Sequence, residues 1–399
     1  GANIKMEANS DAISDAISDA IARFERAARL WPLGELTQAP EATWLERWGA
    51  VRSLTYPGEP YGGKPTRVFA YYGVPRQASG RLPAMVLVHG GGGRAFADWV
   101  MAWVRRGYVA LAMDLTGRGI DGERLPDGGP EQDHEHIFQT MQEGLTETWP
   151  YHAVAAVIRG VSFLAAQPEV DPDRIGLTGI SWGGYLTCVV SGLDPRLKAC
   201  APVYGCGHLH ENSAWLPIFN EMPANERQQW IEYFDPSRFL PAAQMPMLWV
   251  NGTNDFAYPL DSYQRSYRLP RGPRALCVKV YMSHGHEPGW APYEIAIFMD
   301  QHLRQGTPLP TLSAMQREGR VVTAEVNAPL PLIRAAIHYT SDTGPWQQRA
   351  WCSVPARIEA GRVIGELPER RPLVYFLTVT DERDATVSAE HIVLEGDEA

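Results

Sequence analysis

The chain has 399 residues, 45% of them hydrophobic and 21% charged, an ordinary globular composition in a chain too long for one core, so two domains are expected. A net charge of −10 and a pI near 5.6 argue against nucleic acid or an anionic membrane surface as a main partner. No apolar run approaches the ~20 residues of a membrane span.

The opening Gly1-Ala2-Asn3-Ile4-Lys5-Met6 reads as a remnant before a start at Met6. No cationic, apolar and small-residue signal sequence follows, and the compartment is left open. The near repeat Ser10-Asp11-Ala12-Ile13, Ser14-Asp15-Ala16-Ile17, Ser18-Asp19-Ala20-Ile21 has a period of four, close to a helical turn. It predicts a helix over 11–30 that packs on the body of the protein or on a second subunit, so residues 1–50 form an N-terminal helical segment and a homo-oligomer stays open. Three tetrads are too few for a coiled coil.

Alternation over 51–72 predicts a hairpin at a sheet edge, turning at Gly62-Gly63-Lys64-Pro65. Helix and strand then alternate: helix 99–106, strand 108–114, helix 151–166, strand 174–178. That rhythm predicts an α/β fold, a mostly parallel, doubly wound sheet with helices on both faces.

The most informative motif follows the last of these strands: Gly179-Ile180-Ser181-Trp182-Gly183, with Gly184 behind it and an apolar helix over 185–191. Strand, tight turn and helix are the context a Gly-x-Ser-x-Gly nucleophile elbow requires. A side chain at Gly179 or Gly183 would strike the neighbouring strand or helix, and the strained turn lifts Ser181 Oγ above the sheet. The same turn aims the Trp182 N–H at the space where an anionic oxygen would form.

Upstream, the strand Val86-Leu87-Val88 runs into His89-Gly90-Gly91-Gly92-Gly93. Backbone free of side chains can turn its N–H groups to a substrate carbonyl, with Gly91 as the expected partner of Trp182 and Gly92 as the near alternative. The Gly-Lys-Ser/Thr ending of a phosphate-binding loop is missing. His89 is expected to position the loop.

Downstream, the strand Met247-Leu248-Trp249-Val250 ends in Asn251-Gly252-Thr253-Asn254-Asp255, and the strand 278–281 leads into Met282-Ser283-His284-Gly285-His286-Glu287. A serine hydroxyl needs an imidazole to take its proton and a carboxylate to fix the imidazole's tautomer. Asp255 stands at a strand end and is the expected orienter. Asp261 lies past Pro259 and is expected to open the next helix.

With Ser, Asp and His in this order, each after its own strand, the chain resembles the α/β-hydrolase superfamily, and within it the acetylxylan-esterase and dienelactone-hydrolase-like branch of serine esterases. The resemblance spans about 51–306. It implies His286 as the catalytic base, since Tyr281 and Gly285 match a Tyr-x-x-x-Gly pattern preceding that residue, with His284 as its competitor. It implies Ser181 as nucleophile, Asp255 as orienter, Trp182 and Gly91 as the oxyanion hole, no cofactor, and a small-molecule or oligosaccharide ester as substrate, acetylated sugar or xylan fragments among them. Two rivals share the motifs. A prolyl-oligopeptidase-like serine peptidase would need a sieving domain for which the residues before 51 are too few, and a non-catalytic binding protein would not need the triad.

Two long connections, 116–150 and 205–246, are expected to roof the serine. Their aromatics, with Trp149, Tyr204, Trp215, Phe219, Trp230, Tyr233 and Trp290 in view, offer a stacking pocket for a sugar or aryl group, or else pack the insertions themselves. His134 and His136, and His208 and His210, are spaced i, i+2, which fits solvated loops better than a metal site. After Gly306 the texture changes to short β-type runs over 320–326, 333–339, 350–354, 373–380 and 392–394. Residues 307–399 therefore read as a β-sandwich accessory domain whose segment 372–383 resembles the late strands of an immunoglobulin-like domain. Five scattered cysteines leave room for one disulfide, Cys200 to Cys206, but read better as small buried residues.

Overall fold

The computed structural model describes residues 2–76 and 79–396; Gly1, the first residue of the expected remnant, lies outside them. Nine strands, β1 (Thr43–Trp48), β2 (Val51–Pro57), β3 (Arg67–Gly73), β4 (Leu82–Val88), β5 (Val109–Met113), β6 (Val170–Ile180), β7 (Ala199–Val203), β8 (Met247–Gly252) and β9 (Arg274–Lys279), form one sheet. Their order is β1-β2-β3-β5-β4-β6-β7-β8-β9, antiparallel up to the β3/β5 pair and parallel from β5 to β9. The central strands β5, β7 and β8 are buried along their whole length, as short apolar runs covered on both faces must be. Helices Ala97–Arg105, Trp149–Ala165, Trp182–Leu193 and Tyr293–Arg304 supply the cover.

The chain leaves β4 for β5 on one side and pairs β4 with β6 on the other, so the strand order reverses there. Ligands bind outside the carboxyl ends of strands at such a reversal. Val88 of β4 lies opposite Gly179 of β6, which starts the glycine loop and the elbow side by side.

The hairpin over 51–72 forms as β2 and β3, but it is not at the edge, because β1 from the N-terminal segment pairs outside it. The first fifty residues therefore contribute a strand to the main sheet as well as the helix Ala2–Ala28. Ile13, Ile17 and Ile21 of the tetrads are exposed, and the helix is tethered by its later turns, where Phe24 meets Phe239 at 6.4 Å. Beyond it, Trp31 stacks on Tyr151 at 5.9 Å.

The C-terminal strands β10 (Thr311–Leu312), β11 (Gln316–Glu318), β12 (Val321–Asn327), β13 (Leu332–Thr340), β14 (Cys352–Glu359), β15 (Arg362–Glu366), β16 (Leu373–Asp381), β17 (Thr386–Ser388) and β18 (Ile392–Leu394) pair only antiparallel. β14 pairs with β13 over 352–356 and with β15 over 357–359, so it passes from one leaf of a sandwich to the other. Gly365 of β15 faces Ile337 of β13 and Leu377 of β16 across the gap.

This domain seals the open edge of the main sheet. Ser388 Oγ accepts from Val278 N–H at 2.8 Å and donates to Val278 O at 3.1 Å, where β9 would otherwise offer an unpaired strand. Leu260 and Val278 bury against Trp351, Val374 and Phe376 of the sandwich. All five cysteines are free, so the Cys200 to Cys206 bridge is not formed, and Cys352 is exposed where a buried residue was expected.

Candidate active site

The elbow is built from backbone contacts too close for any side chain. A Cβ at Gly179 would lie 2.0 Å from Gly183 O, and one at Gly183 would lie 2.0 Å from Val88 O. Ser181 takes φ 60° and ψ −116°, a left-handed conformation that a serine holds only where its surroundings enforce it. Its N–H is fixed on Val203 O at 2.8 Å.

Ser181 Oγ lies 2.9 Å from His284 Nε2, and His284 Nδ1 lies 2.6 Å from Asp255 Oδ2. This corrects the expectation for the base: the ring between Ser181 and Asp255 is His284, not His286. The Tyr-x-x-x-Gly spacing misleads because β9 ends at Lys279 and Tyr281 turns back with φ 58°, so the loop delivers the third residue after Tyr281 to the serine. Asp255 is fully buried and can only accept when ionised, which puts the proton of the imidazole on Nδ1 and leaves Nε2 free to accept from the serine hydroxyl. Its other oxygen accepts from the N–H groups of Ala257 at 3.0 Å and Tyr258 at 2.8 Å, so the carboxylate is held at both ends. Asp261 opens the helix Leu260–Tyr267 and accepts from Asn212 Nδ2 at 2.9 Å and 3.0 Å, away from the imidazole.

His286 has a different place. Its Nε2 accepts from Gly90 N–H at 2.9 Å, and a Cβ at Gly93 would lie 2.6 Å from that same nitrogen. His89 braces the loop from the other side: its Nε2 accepts from Leu115 N–H at 2.9 Å, which leaves Nδ1–H to donate to Gly90 O at 2.8 Å. Burial, then the neighbouring His89 and His284, lower the His286 pKa to about 4, so the ring is a neutral acceptor at pH 7. An unfolded chain takes up that proton near 6.5. The stability that the neutral ring contributes is therefore full above about pH 6.5 and is lost as the pH falls towards 4. Melting midpoints measured from pH 7 to pH 4 should fall, and less steeply in His286→Gln, whose carboxamide accepts without titrating. An equal slope in both proteins would refute the linkage.

The glycine loop lies on the elbow. A Cβ at Gly90 would lie 3.0 Å from Ser181 Cβ, and one at Gly91 would lie 3.3 Å from Trp182 Cδ1. The N–H groups of Gly91 and Trp182 have no partner among the described residues, the second because it opens the helix Trp182–Leu193.

Two aromatic rings fix the His284 imidazole. Tyr204 stacks on it at 4.4 Å with an interplanar angle of 27°, and Phe256 meets it edge-on at 4.6 Å. The Tyr204 hydroxyl donates to Ser283 O, one residue before the imidazole. Sequence reasoning placed Tyr204 in a stacking pocket; only its position just past β7, with φ 53°, marks it as a residue turned into the site.

Most of the other aromatics pack the insertions. The Trp182 indole is buried against Trp215 at 4.5 Å, Tyr185 at 5.0 Å, Trp149 at 5.8 Å and Phe138 at 6.0 Å. Phe138 of the first insertion meets Phe219 and Trp230 of the second at 5.4 Å and 5.3 Å, and Trp230 Nε1 donates to Ile137 O at 2.9 Å. The two insertions thus form one buried aromatic layer beside the elbow. Trp290 stacks on Trp99 at 5.3 Å. Of the loop histidines, His136 joins Asp133 and Glu135, with donor atoms within 4.8 Å of one another, in an exposed cluster where Asp133 already accepts from His136. His208 lies apart, its N–H on Asp235 at 3.0 Å.

Residues 51–248 match the model of the acetyl xylan esterase (AXE1) family. The chain is 23% identical over 232 residues to acetyl esterase Axe7A of Xylanibacter ruminicola, a match that covers 54% of this chain and 52% of that protein, about half of the relative's length. Among solved structures it resembles an acetyl xylan esterase from Paenibacillus sp. R4, with a TM-score of 0.57 at 20% identity over 72% of this chain and 93% of that one. Acetyl xylan esterase 1 from Thermoanaerobacterium sp. JW/SL YS485 gives a TM-score of 0.56 at 18% identity, over 71% of this chain and 93% of that one. With its sheet order, its elbow and these likenesses, the chain has the α/β-hydrolase fold, is similar to acetyl xylan esterases over residues 51–248, and carries an additional C-terminal antiparallel β domain.

Proposed function

We propose that the protein hydrolyses short-chain carboxylic esters, acetylated carbohydrate among them, through a covalent acyl-serine. The observation that carries this reading is the unbroken line of hydrogen bonds from Ser181 Oγ through His284 to Asp255. As Ser181 Oγ attacks the ester carbonyl, His284 Nε2 takes the hydroxyl proton and the buried Asp255 carboxylate stabilises the resulting imidazolium. The carbonyl oxygen becomes an anion within reach of the unpartnered Gly91 and Trp182 N–H groups, whose aim is fixed beforehand by the loop and the helix start. The C–O bond to the alcohol then breaks, and the alcohol leaves with the proton from His284. Water repeats the sequence on the acyl-serine: His284 takes its proton, hydroxide adds, and the acid departs as Ser181 regains its hydrogen.

The acetyl preference rests on the likeness to proteins named acetyl esterase and acetyl xylan esterase, and on the crowding beside the elbow. The Trp182 indole is buried in the aromatic layer directly beside the elbow, and we take this crowding to leave little room for a long acyl chain. An open apolar tunnel would gain about 0.8 kcal/mol for each buried methylene, roughly a fourfold rise in kcat/KM, and no such rise is expected here. The test is kcat/KM across p-nitrophenyl acetate, butyrate, octanoate and decanoate, beside acetylated xylo-oligosaccharides and aminoacyl anilides. The acetyl ester should lead. A rise towards decanoate would overturn the short-chain assignment, and preference for the anilides would overturn the esterase.

A further inference from the structure

Asp255 and His284 reach the serine on two loops that follow β8 and β9, the last two strands of the main sheet. Both loops are fastened to the C-terminal sandwich within a few residues of the reacting groups. Asn254, next to Asp255, donates through Nδ2 to the carbonyl oxygens of Arg349 at 2.7 Å and Gln347 at 3.2 Å. Tyr281, three residues before His284, accepts at its hydroxyl from Trp351 N–H at 2.8 Å and donates to Trp351 O at 3.3 Å. Thr253 ties the two loops together: its hydroxyl accepts from Tyr281 N–H at 3.0 Å and donates to Asn254 Oδ1 at 2.7 Å.

The sandwich segment that receives these bonds is itself held. Trp351 buries against Phe376 of β16 at 5.6 Å, and the Arg349 guanidinium lies 3.8 Å from the centre of the Trp346 ring. Tyr281 carries φ 58°, a left-handed conformation for a non-glycine residue, which persists where surrounding contacts over-determine it. The contacts that do so are the hydroxyl pair to Trp351 and the bond to Thr253.

We propose that the C-terminal β domain is a positioning element of the active site, and that Asn254 and Tyr281 are the positioning residues through which it sets the distance between Asp255 and His284. The inference rests on the reading of Ser181, His284 and Asp255 as a working triad. A sheet edge leaves its last loops supported on one side only, and the sandwich supplies the other side. Misplacing a catalytic group by about 1 Å can cost ~100-fold in rate, so a brace on both loops bears on turnover without touching substrate.

The test uses the full chain. Asn254→Ala and Tyr281→Phe each remove loop bonds to the sandwich; Gln264→Ala removes a domain-to-domain bond of the same kind, Nε2 to His391 O at 2.7 Å, from a helix that carries no catalytic group. Steady-state kinetics, melting midpoints and the rate of Ser181 labelling by a fluorophosphonate are measured on all three and on the unaltered protein. Asn254→Ala is expected to lower kcat and the labelling rate about tenfold or more with KM within twofold, Tyr281→Phe several-fold, and Gln264→Ala less than twofold at a similar melting midpoint. Asn254→Gln, which keeps the amide donor, should recover part of the loss. Unchanged kcat in both loop variants would overturn the proposal, and so would an equal loss in Gln264→Ala, which would mark a general weakening of the domain contact. An unaltered protein that neither labels nor hydrolyses esters would instead overturn the triad reading, and this proposal with it.

Discussion

Replacing His284 by alanine is expected to reduce kcat to about a thousandth or less of the unaltered enzyme, as severely as Ser181→Ala, because the two side chains act as one unit. The double variant should lose little more than either single one. His286→Ala removes the acceptor of the Gly90 N–H and leaves a buried donor unpaired, a cost of about 1–3 kcal/mol and thus a loss of roughly five- to 150-fold if all of it falls on the glycine loop. A carboxamide at 286 should restore much of that, whereas no carboxamide at 284 can accept and then return the serine proton. Turnover by a folded His284→Ala protein above that of His286→Ala would show that the ring beside the serine is not the base.

The two histidines mark the boundary of what the sequence alone decides. The positions of Ser181, the glycine loop and Asp255 were legible because each follows a strand end, and burial and periodicity locate strand ends well. The choice between His284 and His286 depends on the path of the backbone after β9, set by a left-handed Tyr281 that is bonded to Trp351 some seventy residues away. No local pattern encodes that contact. That Tyr204 stacks on His284 rather than on a ligand was hidden for the same reason, since stacking on an imidazole from another loop leaves no trace in the spacing of its own segment. The strand β1 went unread because the pattern Thr43 to Trp48 is mostly exposed and lacks the alternation that betrays a half-buried strand. The aromatics of the two insertions were countable but not placeable: whether a tryptophan stacks on a ligand or on another tryptophan depends on how two separate segments meet.

The elbow's glycines make the second large prediction, and it concerns folding and chemistry together. At Gly183 a methyl group would lie 2.0 Å from Val88 O and 2.8 Å from His89 O, both backbone atoms that cannot rotate out of the way as a flexible side chain could. Val88 is paired in register with Gly179 and leads directly into the glycine loop, so relief of the clash must displace β4, the loop or the serine. Overpacking of this kind costs typically 1–3 kcal/mol, and so close an approach to backbone belongs at the upper end. For a domain of this size about 3 kcal/mol lowers the melting midpoint by roughly 6–12 °C. Gly183→Ala should show that fall together with a loss of kcat of at least about tenfold, since the displaced groups are those proposed to react. Gly34→Ala is the matched control: nothing lies within 4 Å of the added carbon, and both quantities should stay near those of the unaltered protein. A Gly183→Ala protein that melts and turns over like the control would mean that β4 and the helix after Ser181 do not press on each other as closely as the elbow requires, and the strained serine would lose its structural cause.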